Sequence, residues 1–242
     1  VYSIGGNFKI NFLKEFFKIN SGIRQFDSIY TLNEKSKKKI EAIGNKNTIV
    51  CGDLRFDTDI PKLTKKASDN VSRFIDDKNC IVFGSTWRED EEIIIRYINN
   101  SNRKIKYIIA PHEISANPKR IKKYLGNKSI LYSSIKLDTN LKDFSCLIID
   151  NIGMLSAIYN YSTISYVGGG MGKKGLHNTL EPAYFSKPII IGKNYHKFDE
   201  ATEMIKNGNM ISVSNYKEFY NACESLIDDE NLLLKMSKKC TE

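Results

Sequence analysis

Long apolar runs are missing from this sequence of 242 residues. No run approaches the roughly 20 residues that a membrane-spanning helix needs. The first residues also lack a charged segment followed by an apolar one, which is the pattern of a secretory signal peptide. These absences argue against a spanning helix and a leader peptide within the sequence. Because the chain begins at Val1 rather than at methionine, we expect an N-terminally truncated piece of a longer protein.

Paired cysteines are also missing. The five cysteines are scattered along the chain, and none forms a C-x-x-C pair. Cys80 and Cys146 lie in or beside apolar runs typical of strands, where buried thiols are common. The pattern predicts a reducing compartment, with neither a disulfide framework nor a zinc site.

Two familiar nucleotide-binding signatures are absent as well. No G-x-G-x-x-G opens the first helix of the main domain, as it would in a dinucleotide-binding fold. The pair Lys173-Lys174 is followed by Gly175 rather than by Ser or Thr, so the glycine-rich stretch around it is not a Walker A motif. NTP hydrolysis and nicotinamide chemistry are therefore disfavoured.

What the chain has in excess is positive charge. Lys and Arg outnumber Asp and Glu by 37 to 28, a formal net charge of +9. Two explanations of this positive charge are equally good. One is a Lys-rich composition that reflects an AT-rich genome. The other is attraction to a membrane surface, a nucleic acid or an acidic glycolipid. The aromatic-rich basic motif of single-strand binders is lacking, which disfavours a nucleic-acid partner.

Apolar runs alternate with helical patterns along almost the whole chain, which is typical of an α/β sheet. We predict strands at 27–32, 48–51, 80–84, 105–110, 129–132, 147–150, 164–168, 188–191 and 210–213. We predict helices at 10–20, 34–43, 89–99, 118–125, 154–161, 179–185 and 198–207, followed by two more before the end.

This order of elements predicts two unequal parts. Six or seven strands with crossover helices make residues 70–242 a complete Rossmann-like domain. Residues 1–57 supply only two predicted strands, too few for a second full domain, so we interpret them as the tail end of one. The polar residues 58–69 between the two parts are interpreted as a linker.

The segment from Ser165 to Ala183 carries the strongest functional signal. It predicts a strand, then a loop with glycines at 168, 169, 170, 172 and 175, and then the start of a helix. Glycines let a ligand approach the backbone, and unpaired N–H groups at a helix start favour an anion. His177, Asn178 and Glu181 follow the loop. Asn178 and Glu181 also have the spacing of a capping box, so Glu181 serves a cap, a ligand or both.

Three other loops that follow predicted strands carry polar residues, and ligands of open α/β sheets bind at the carboxyl ends of strands. Gly84, Ser85 and Thr86 could bond a phosphate or a sugar. Equally, Thr86 and Glu89 could form a capping box for the next helix.

The loop Ala110-Pro-His-Glu113 places His112 and Glu113 directly after a predicted strand. The sequence favours neither a functional nor an incidental role for this pair. In the loop from Asp150 through Asn151 to Gly153, a helix cap by Asp150 or Asn151 is favoured, although the loop would face the same crevice.

As an ordered set, these motifs resemble the 3-deoxy-D-manno-octulosonic acid (Kdo) transferases of lipopolysaccharide synthesis. The matching segments are Gly52-Asp-Leu-Arg-Phe-Asp57, Gly84-Ser-Thr-Trp87, Ala110-Pro-His-Glu113, Asp150-Asn-Ile-Gly153, Gly168-Gly-Gly170, His177-Asn-Thr-Leu-Glu-Pro-Ala183 and Gly192-Lys-Asn-Tyr-His-Lys-Phe198. The Pro-His-Glu version looks like the Bacteroidetes branch, where other branches carry an arginine-containing Pro-Arg-His motif. This departure leaves open which side chain meets the donor phosphate.

The resemblance implies a GT-B architecture, with two Rossmann-like domains across a cleft. The C-terminal domain would bind the donor CMP-Kdo, and the N-terminal domain would bind a lipid A precursor and carry a glutamate base near its start. That base is expected upstream of Val1, so we expect donor binding without catalysis from this chain. The resemblance also implies inversion at the anomeric carbon, no metal and no cofactor, and a cytoplasmic protein in peripheral contact with the inner membrane.

The residues carried over by the resemblance have distinct expected roles. Glu181 would hold the ribose, and His177 and Asn178 would position the phosphate or the Kdo carboxylate. The helix dipole near Thr179, the loop N–H groups and the hydroxyl of Ser85 or Thr86 would stabilise the leaving CMP. The full expected donor set is Gly84, Ser85, Thr86, His112, Glu113, Asn151, Gly153, Gly168, Gly169, Gly170, His177, Asn178 and Glu181.

Two alternatives remain open from the sequence. A UDP-sugar 2-epimerase or another GT-B transferase, such as a MurG-like one, shares the fold and a glycine-rich loop before a glutamate-bearing helix. A nucleotide-sugar-binding module without activity of its own is the non-enzymatic alternative.

Overall fold

The chain forms two compact units, Val1–Asp59 and Ile60–Glu242. The structure is a computed structural model that describes residues 2–6, 22–52, 60 and 62–239, with only the backbone of residues 2–6. The helix predicted at 10–20 lies outside the described residues.

The described part of the first unit is a small parallel sheet with one helix on it. The strands β1 (Tyr2–Gly6), β2 (Ser28–Thr31) and β3 (Thr48–Val50) pair in that order. Helix α1 (Glu34–Ile43) packs on the sheet through Ile40 and Ile43, which contact Ile29. The prediction of two strands was wrong, because β1 is a short stretch with two glycines and no apolar run.

Local sequence explains the bounds of helix α1. The side chain of Asn33 accepts a hydrogen bond from the N–H of Ser36 and caps the start of the helix. Gly44 ends it with a φ of 106°, a left-handed conformation that glycine adopts without strain. These are the bounds that the sequence predicts.

The second unit is built around seven parallel strands. They are β4 (Cys80–Thr86), β5 (Lys106–Pro111), β6 (Ser129–Leu131), β7 (Cys146–Ile148), β8 (Ile164–Val167), β9 (Ile189–Gly192) and β10 (Met210–Val213). The helices are α2 (Lys65–Ile75), α3 (Arg88–Asn100), α4 (Asn117–Leu125), α5 (Leu155–Ile158), α6 (Leu180–Tyr184), α7 (Asp199–Asn207), α8 (Tyr216–Asp228) and α9 (Glu230–Lys239). The prediction of six or seven strands with crossover helices is confirmed.

Both faces of this sheet are buried, as expected of parallel strands covered by helices. Alternate side chains of β4 point to opposite faces, because the side-chain period of a strand is two residues. Val82 joins the core on the face covered by α2, and Phe83 joins the core on the face covered by α3 and α8. Phe83 packs among the rings of Tyr107, Tyr166 and Phe219 with centroids 6.1–6.4 Å away.

Strand order decides where a ligand can bind. The order across the sheet is β10-β9-β8-β4-β5-β7-β6, so β4 lies at the centre between β5 and β8. The chain leaves β4 toward β5 on one side and later returns to its other side as β8. Such a switch point opens a crevice at the carboxyl ends of the strands.

Helix α2 begins at Lys65, inside the segment that the sequence analysis assigns to a linker. Thr64 caps it by accepting a hydrogen bond from the N–H of Ala67 at 3.3 Å. Ala67, Val71 and Phe74 line its buried face at a spacing of four and three residues. This periodicity is visible in the sequence, although the surrounding lysines and polar residues conceal it.

Candidate functional site

Three loops meet at the carboxyl ends of β4, β5 and β8, and backbone hydrogen bonds hold them together. The N–H of His112 donates to the carbonyl of Thr86 at 3.0 Å, which joins the loop after β5 to β4. The N–H of Gly168 donates to the carbonyl of Gly84 at 2.9 Å, which joins the glycine-rich loop to β4. The sequence-predicted residues of these loops are therefore brought to one place.

Trp87, His112 and His177 form an aromatic group at this place, which we call the Trp–His cluster. The ring centroids of Trp87 and His112 are 4.6 Å apart, and those of His112 and His177 are 4.4 Å apart. The indole Nε1–H of Trp87 donates to Nε2 of His177 at 2.8 Å. The Nζ atom of Lys174 lies 4.9 Å from the centre of the Trp87 ring. The sequence analysis named the two histidines separately and missed Trp87 and Lys174.

The electrostatics of the cluster favour a neutral His177 beside a cation. Burial, and then the neighbouring His112, lower the pKa of His177 below its usual value. Lys174 is exposed and supplies a positive charge at the mouth of the cluster. The cluster thus offers an anion one cation and at least one imidazole N–H.

The buried carboxylate of Asp90 ties two of the loops together. It accepts hydrogen bonds from the N–H of Trp87 at 2.9 Å, the N–H of Gly169 at 2.8 Å and the hydroxyl of Tyr166 at 2.7 Å. Burial raises its pKa, while these donors oppose the shift by favouring the charged form. The expected capping box of Thr86 and Glu89 was wrong. Trp87 is the N-cap of α3 without a side-chain cap, and Asp90 accepts a hydrogen bond from its backbone N–H.

Thr86 has a different role from the one predicted. It is fully buried, since β4 continues to it and pairs it with Pro111. Its hydroxyl donates to Glu91 at 3.2 Å, and Glu91 is itself fully buried and paired with Arg120. The side chain of Thr86 therefore anchors the start of α3 rather than facing a ligand.

The glycines of the loops are needed mainly for packing between backbones. A Cβ on Gly168 would overlap the carbonyl of Ser85, and a Cβ on Gly84 would overlap the hydroxyl of Tyr159. A Cβ on Gly170 would lie 2.8 Å from the backbone N of Gly192. The three loop glycines 168, 169 and 170 are all buried. Close approach of a ligand is therefore not what requires glycine at these positions.

Asn178 and Glu181 lie at the start of α6 and contact each other, as their spacing predicts. Nδ2 of Asn178 donates to Oε1 of Glu181 at 3.3 Å, and Oδ1 accepts from the N–H of Leu180 at 3.1 Å. The N-cap is Thr179 rather than Asn178, and α6 has only five residues. The expected dipole of this helix is therefore small, and local N–H groups are what it offers.

Glu181 is a half-buried carboxylate with neutral partners. Burial raises its pKa, and hydrogen bonds from Ser156 and Asn178 partly oppose that shift. Nearby, the hydroxyl of Thr179 is buried and has no hydrogen-bond partner among the described residues.

The remaining predicted residues lie at the edge of the site. Asp150 accepts a hydrogen bond from the N–H of Ser133 at 2.9 Å, and Nδ2 of Asn151 contacts Sδ of Met154 at 2.9 Å. The prediction that one of them caps the next helix was wrong, because α5 starts after Met154 with no side-chain cap. Gly153 turns the chain with a φ of 90°, and Glu113 is exposed.

Within the described ranges, no three His, Cys, Asp or Glu side chains are grouped so that they could hold a metal ion. No described helix combines the length and the apolar character that crossing a membrane requires.

No family model matches the sequence. The chain is 31% identical over 227 residues to the 3-deoxy-D-manno-octulosonic acid transferase of Rickettsia typhi, a match covering 91% of this chain and 48% of the relative. This chain is homologous to the Kdo transferases. Its match to the Kdo transferase of Aquifex aeolicus has 26% identity over 211 residues, covering 84% of this chain and 55% of the relative. The chain thus spans about half the length of the curated Kdo transferases it matches.

Solved structures of glycosyltransferases share the fold of this Kdo transferase homologue. The C-terminal CMP-Kdo binding domain of WaaA from Acinetobacter baumannii superposes with a TM-score of 0.58 at 20% identity, covering 73% of this chain and 97% of that domain. A glycosyltransferase from Rickettsia africae gives a TM-score of 0.58 at 14% identity, covering 98% of this chain and 64% of that one. The predicted GT-B type fold is confirmed. The Bacteroidetes-like branch stays a prediction.

We predict that Asp90→Asn destabilises this Kdo transferase homologue by about 2–4 kcal/mol. The amide has the shape of the carboxylate, but its NH2 group is a donor. It would face at least one of the donors that now bind the carboxylate, which are the N–H groups of Trp87 and Gly169 and the hydroxyl of Tyr166. Chemical denaturation, followed by circular dichroism, measures the change.

Glu92→Gln is the matched control on the same helix. Glu92 is exposed and pairs with Arg88 at 3.3 Å, and such surface pairs contribute little. Equal stability of Asp90→Asn and Glu92→Gln would show that the buried carboxylate does not hold the loops.

Proposed function

We propose that this chain is the donor-binding part of a Kdo transferase, which moves Kdo from CMP-Kdo to a lipid A precursor. One observation carries the proposal. The resembling segments that follow β4, β5 and β8 come together at the switch point, where the Trp–His cluster, Lys174 and Glu181 follow the central strands. The homology over 91% of the chain supports it independently.

The chemistry of CMP-Kdo fits the groups present. The donor carries one phosphate and the carboxylate of Kdo, so it needs a cation and hydrogen-bond donors. Lys174 offers the cation, and His112 and His177 offer ring N–H groups within the cluster. The carboxylate of Glu181 is an acceptor for the two ribose hydroxyls.

In the proposed reaction, a hydroxyl of the acceptor attacks the anomeric carbon of Kdo while CMP leaves with the bonding electrons. Negative charge grows on the phosphate as the bond breaks. Lys174 and the imidazole N–H groups would stabilise that charge, and His177 is half-buried, where a hydrogen bond to an anion is stronger than in water. The base that takes the proton of the acceptor is expected outside these residues, and inversion without a metal is part of the proposal.

We predict that this chain binds CMP at least tenfold more tightly than UDP. We also predict that it does not release CMP from CMP-Kdo in the presence of lipid IVA. Calorimetry measures the two nucleotides, and a chain extended upstream of Val1 is the positive control for turnover. Preference for UDP would contradict the Kdo assignment and favour a UDP-sugar epimerase or a MurG-like transferase. Turnover by this chain alone would contradict the expected position of the base.

We predict that Glu181→Gln weakens CMP binding about tenfold, because a carboxylate that accepts two hydroxyl bonds is replaced by a weaker neutral acceptor. Calorimetry with 2′,3′-dideoxy-CMP is the control. The unmodified chain should bind this nucleotide about tenfold more weakly than CMP. The Glu181→Gln variant should bind it no more weakly than the unmodified chain does. An additive loss would show that Glu181 does not contact the ribose.

We also propose that the protein makes peripheral contact with the cytoplasmic face of the inner membrane. A groove of about 630 Å³ between α2 and the loop after β6 is lined by Lys65, Lys66, Arg73 and Lys136, with Asp69 as the acidic member. Leu137 projects beside it with 93% of its surface exposed. Basic side chains around a projecting apolar one suit an anionic bilayer surface.

We predict that Lys136→Glu with Leu137→Ser reduces cosedimentation with phosphatidylglycerol vesicles by at least fivefold, since one lysine near an anionic surface contributes about 1 kcal/mol. Lys217→Glu is the matched control. Lys217 is exposed on α8, which covers the opposite face of the sheet from α2. Equal losses in both variants would show that net charge, rather than this surface, attracts the vesicles.

A further inference from the structure

Trp87 is held at two points in the site. Its backbone N–H donates to Oδ2 of Asp90 at 2.9 Å, and its indole Nε1–H donates to Nε2 of His177 at 2.8 Å. The indole also stacks on His112, with ring planes 29° apart. The position of the indole relative to His177 is thus determined by bonds at both ends of the residue.

The direction of the indole bond determines the protonation of His177. An indole N–H can only donate, so Nε2 of His177 must carry a free lone pair. A charged imidazolium has no acceptor nitrogen, and the tautomer with hydrogen on Nε2 has its acceptor on the wrong atom. The bond therefore requires a neutral ring with its hydrogen on Nδ1.

The surroundings of His177 agree with a neutral ring. The ring of His112 lies close to it at a tilt of 30°, Lys174 lies over the neighbouring indole, and burial removes water. Burial, and then His112, lower the pKa of His177, which disfavours a charged ring. Among the described residues, the hydrogen bond of the His177 ring is the one through Nε2, and Nδ1 makes none. That N–H is therefore left for a ligand.

We propose that Trp87 is a positioning residue that fixes His177 as its neutral Nδ1–H tautomer, so that His177 meets an anionic ligand as a hydrogen-bond donor while Lys174 supplies the charge. The identity of the ligand as CMP-Kdo rests on the proposed function. The tautomer of His177 does not, because it is a property of the free protein.

Two consequences separate this role from simple packing. Trp87→Phe keeps an aromatic ring against His112 but removes the indole N–H, so it should change the tautomer without emptying the site. Lys174 and Lys173 are adjacent and both exposed. Within the described chain only Lys174 lies over the indole, so Lys173→Met is the matched control for Lys174→Met.

Nitrogen-15 NMR of the histidine rings tests the tautomer directly. The chain has three histidines and one tryptophan, so the ring signals are few and are assigned with single His→Gln variants. We expect His177 to be protonated on Nδ1 at neutral pH in the unmodified chain and to shift toward the Nε2–H form in Trp87→Phe. His196, whose ring lies beside that of Tyr195, should not change.

A second measurement needs no variant and so does not depend on the folding of Trp87→Phe. The single indole N–H of the unmodified chain should show a scalar coupling to Nε2 of His177 and slow exchange with solvent. An Nε2–H or doubly protonated His177 in the unmodified chain, an unchanged tautomer in folded Trp87→Phe, or a missing coupling would overturn the positioning role.

The ligand is tested with CMP as the probe. We expect Trp87→Phe and Lys174→Met each to weaken CMP binding about tenfold and Lys173→Met less than twofold. Equal effects of Lys173→Met and Lys174→Met would overturn the assignment of the charge to Lys174. If the tautomer is as expected and CMP does not bind, the proposed function fails while the role of Trp87 stands.

Discussion

The candidate site depends on one buried charge. The carboxylate of Asp90 is inaccessible to water, and it accepts hydrogen bonds from the loop after β4, from the glycine-rich loop and from Tyr166 on β8. Burying a carboxylate is costly unless donors surround it, so the backbone around Asp90 has little freedom to rearrange. The two loops that flank the switch point are joined through this residue, and the positions of Trp87 and Gly169 follow from it.

The functional side chains are arranged outward from that buried layer. Thr86, Glu91 and Arg120 anchor the start of α3, and Trp87 emerges from it half-buried. The indole then orders His177 from the neighbouring loop. A buried polar network thus supports an aromatic cluster at the surface. There the neutral His177 can donate a hydrogen bond to an anion while Lys174 supplies the positive charge.

Most secondary structure of the second unit follows from local sequence. The strands are short apolar runs that a helical period does not fit, and the predicted bounds of β10 agree with those observed, as do those of α1 in the first unit. Strand β1 and the whole of helix α2 were missed, because glycines and lysines conceal the pattern that identifies them. Capping residues were misplaced by one position at α3 and α6, since β4 continues to Thr86 and α6 begins only at Leu180. Pairing across the sheet, which local sequence does not reveal, determined where β4 ends.

The sequence by itself determined the fold class, the homology to Kdo transferases and the loops where polar residues follow strands, because these depend on periodicity and on residues close together in the chain. The tertiary structure decided which of those residues share a site. Trp87 and His177 are 90 positions apart, and the bond from Gly169 to Asp90 spans 79 positions. Only the order of strands in the sheet brings them together, and only their geometry shows that glycines 84, 168 and 170 are required by packing rather than by a ligand.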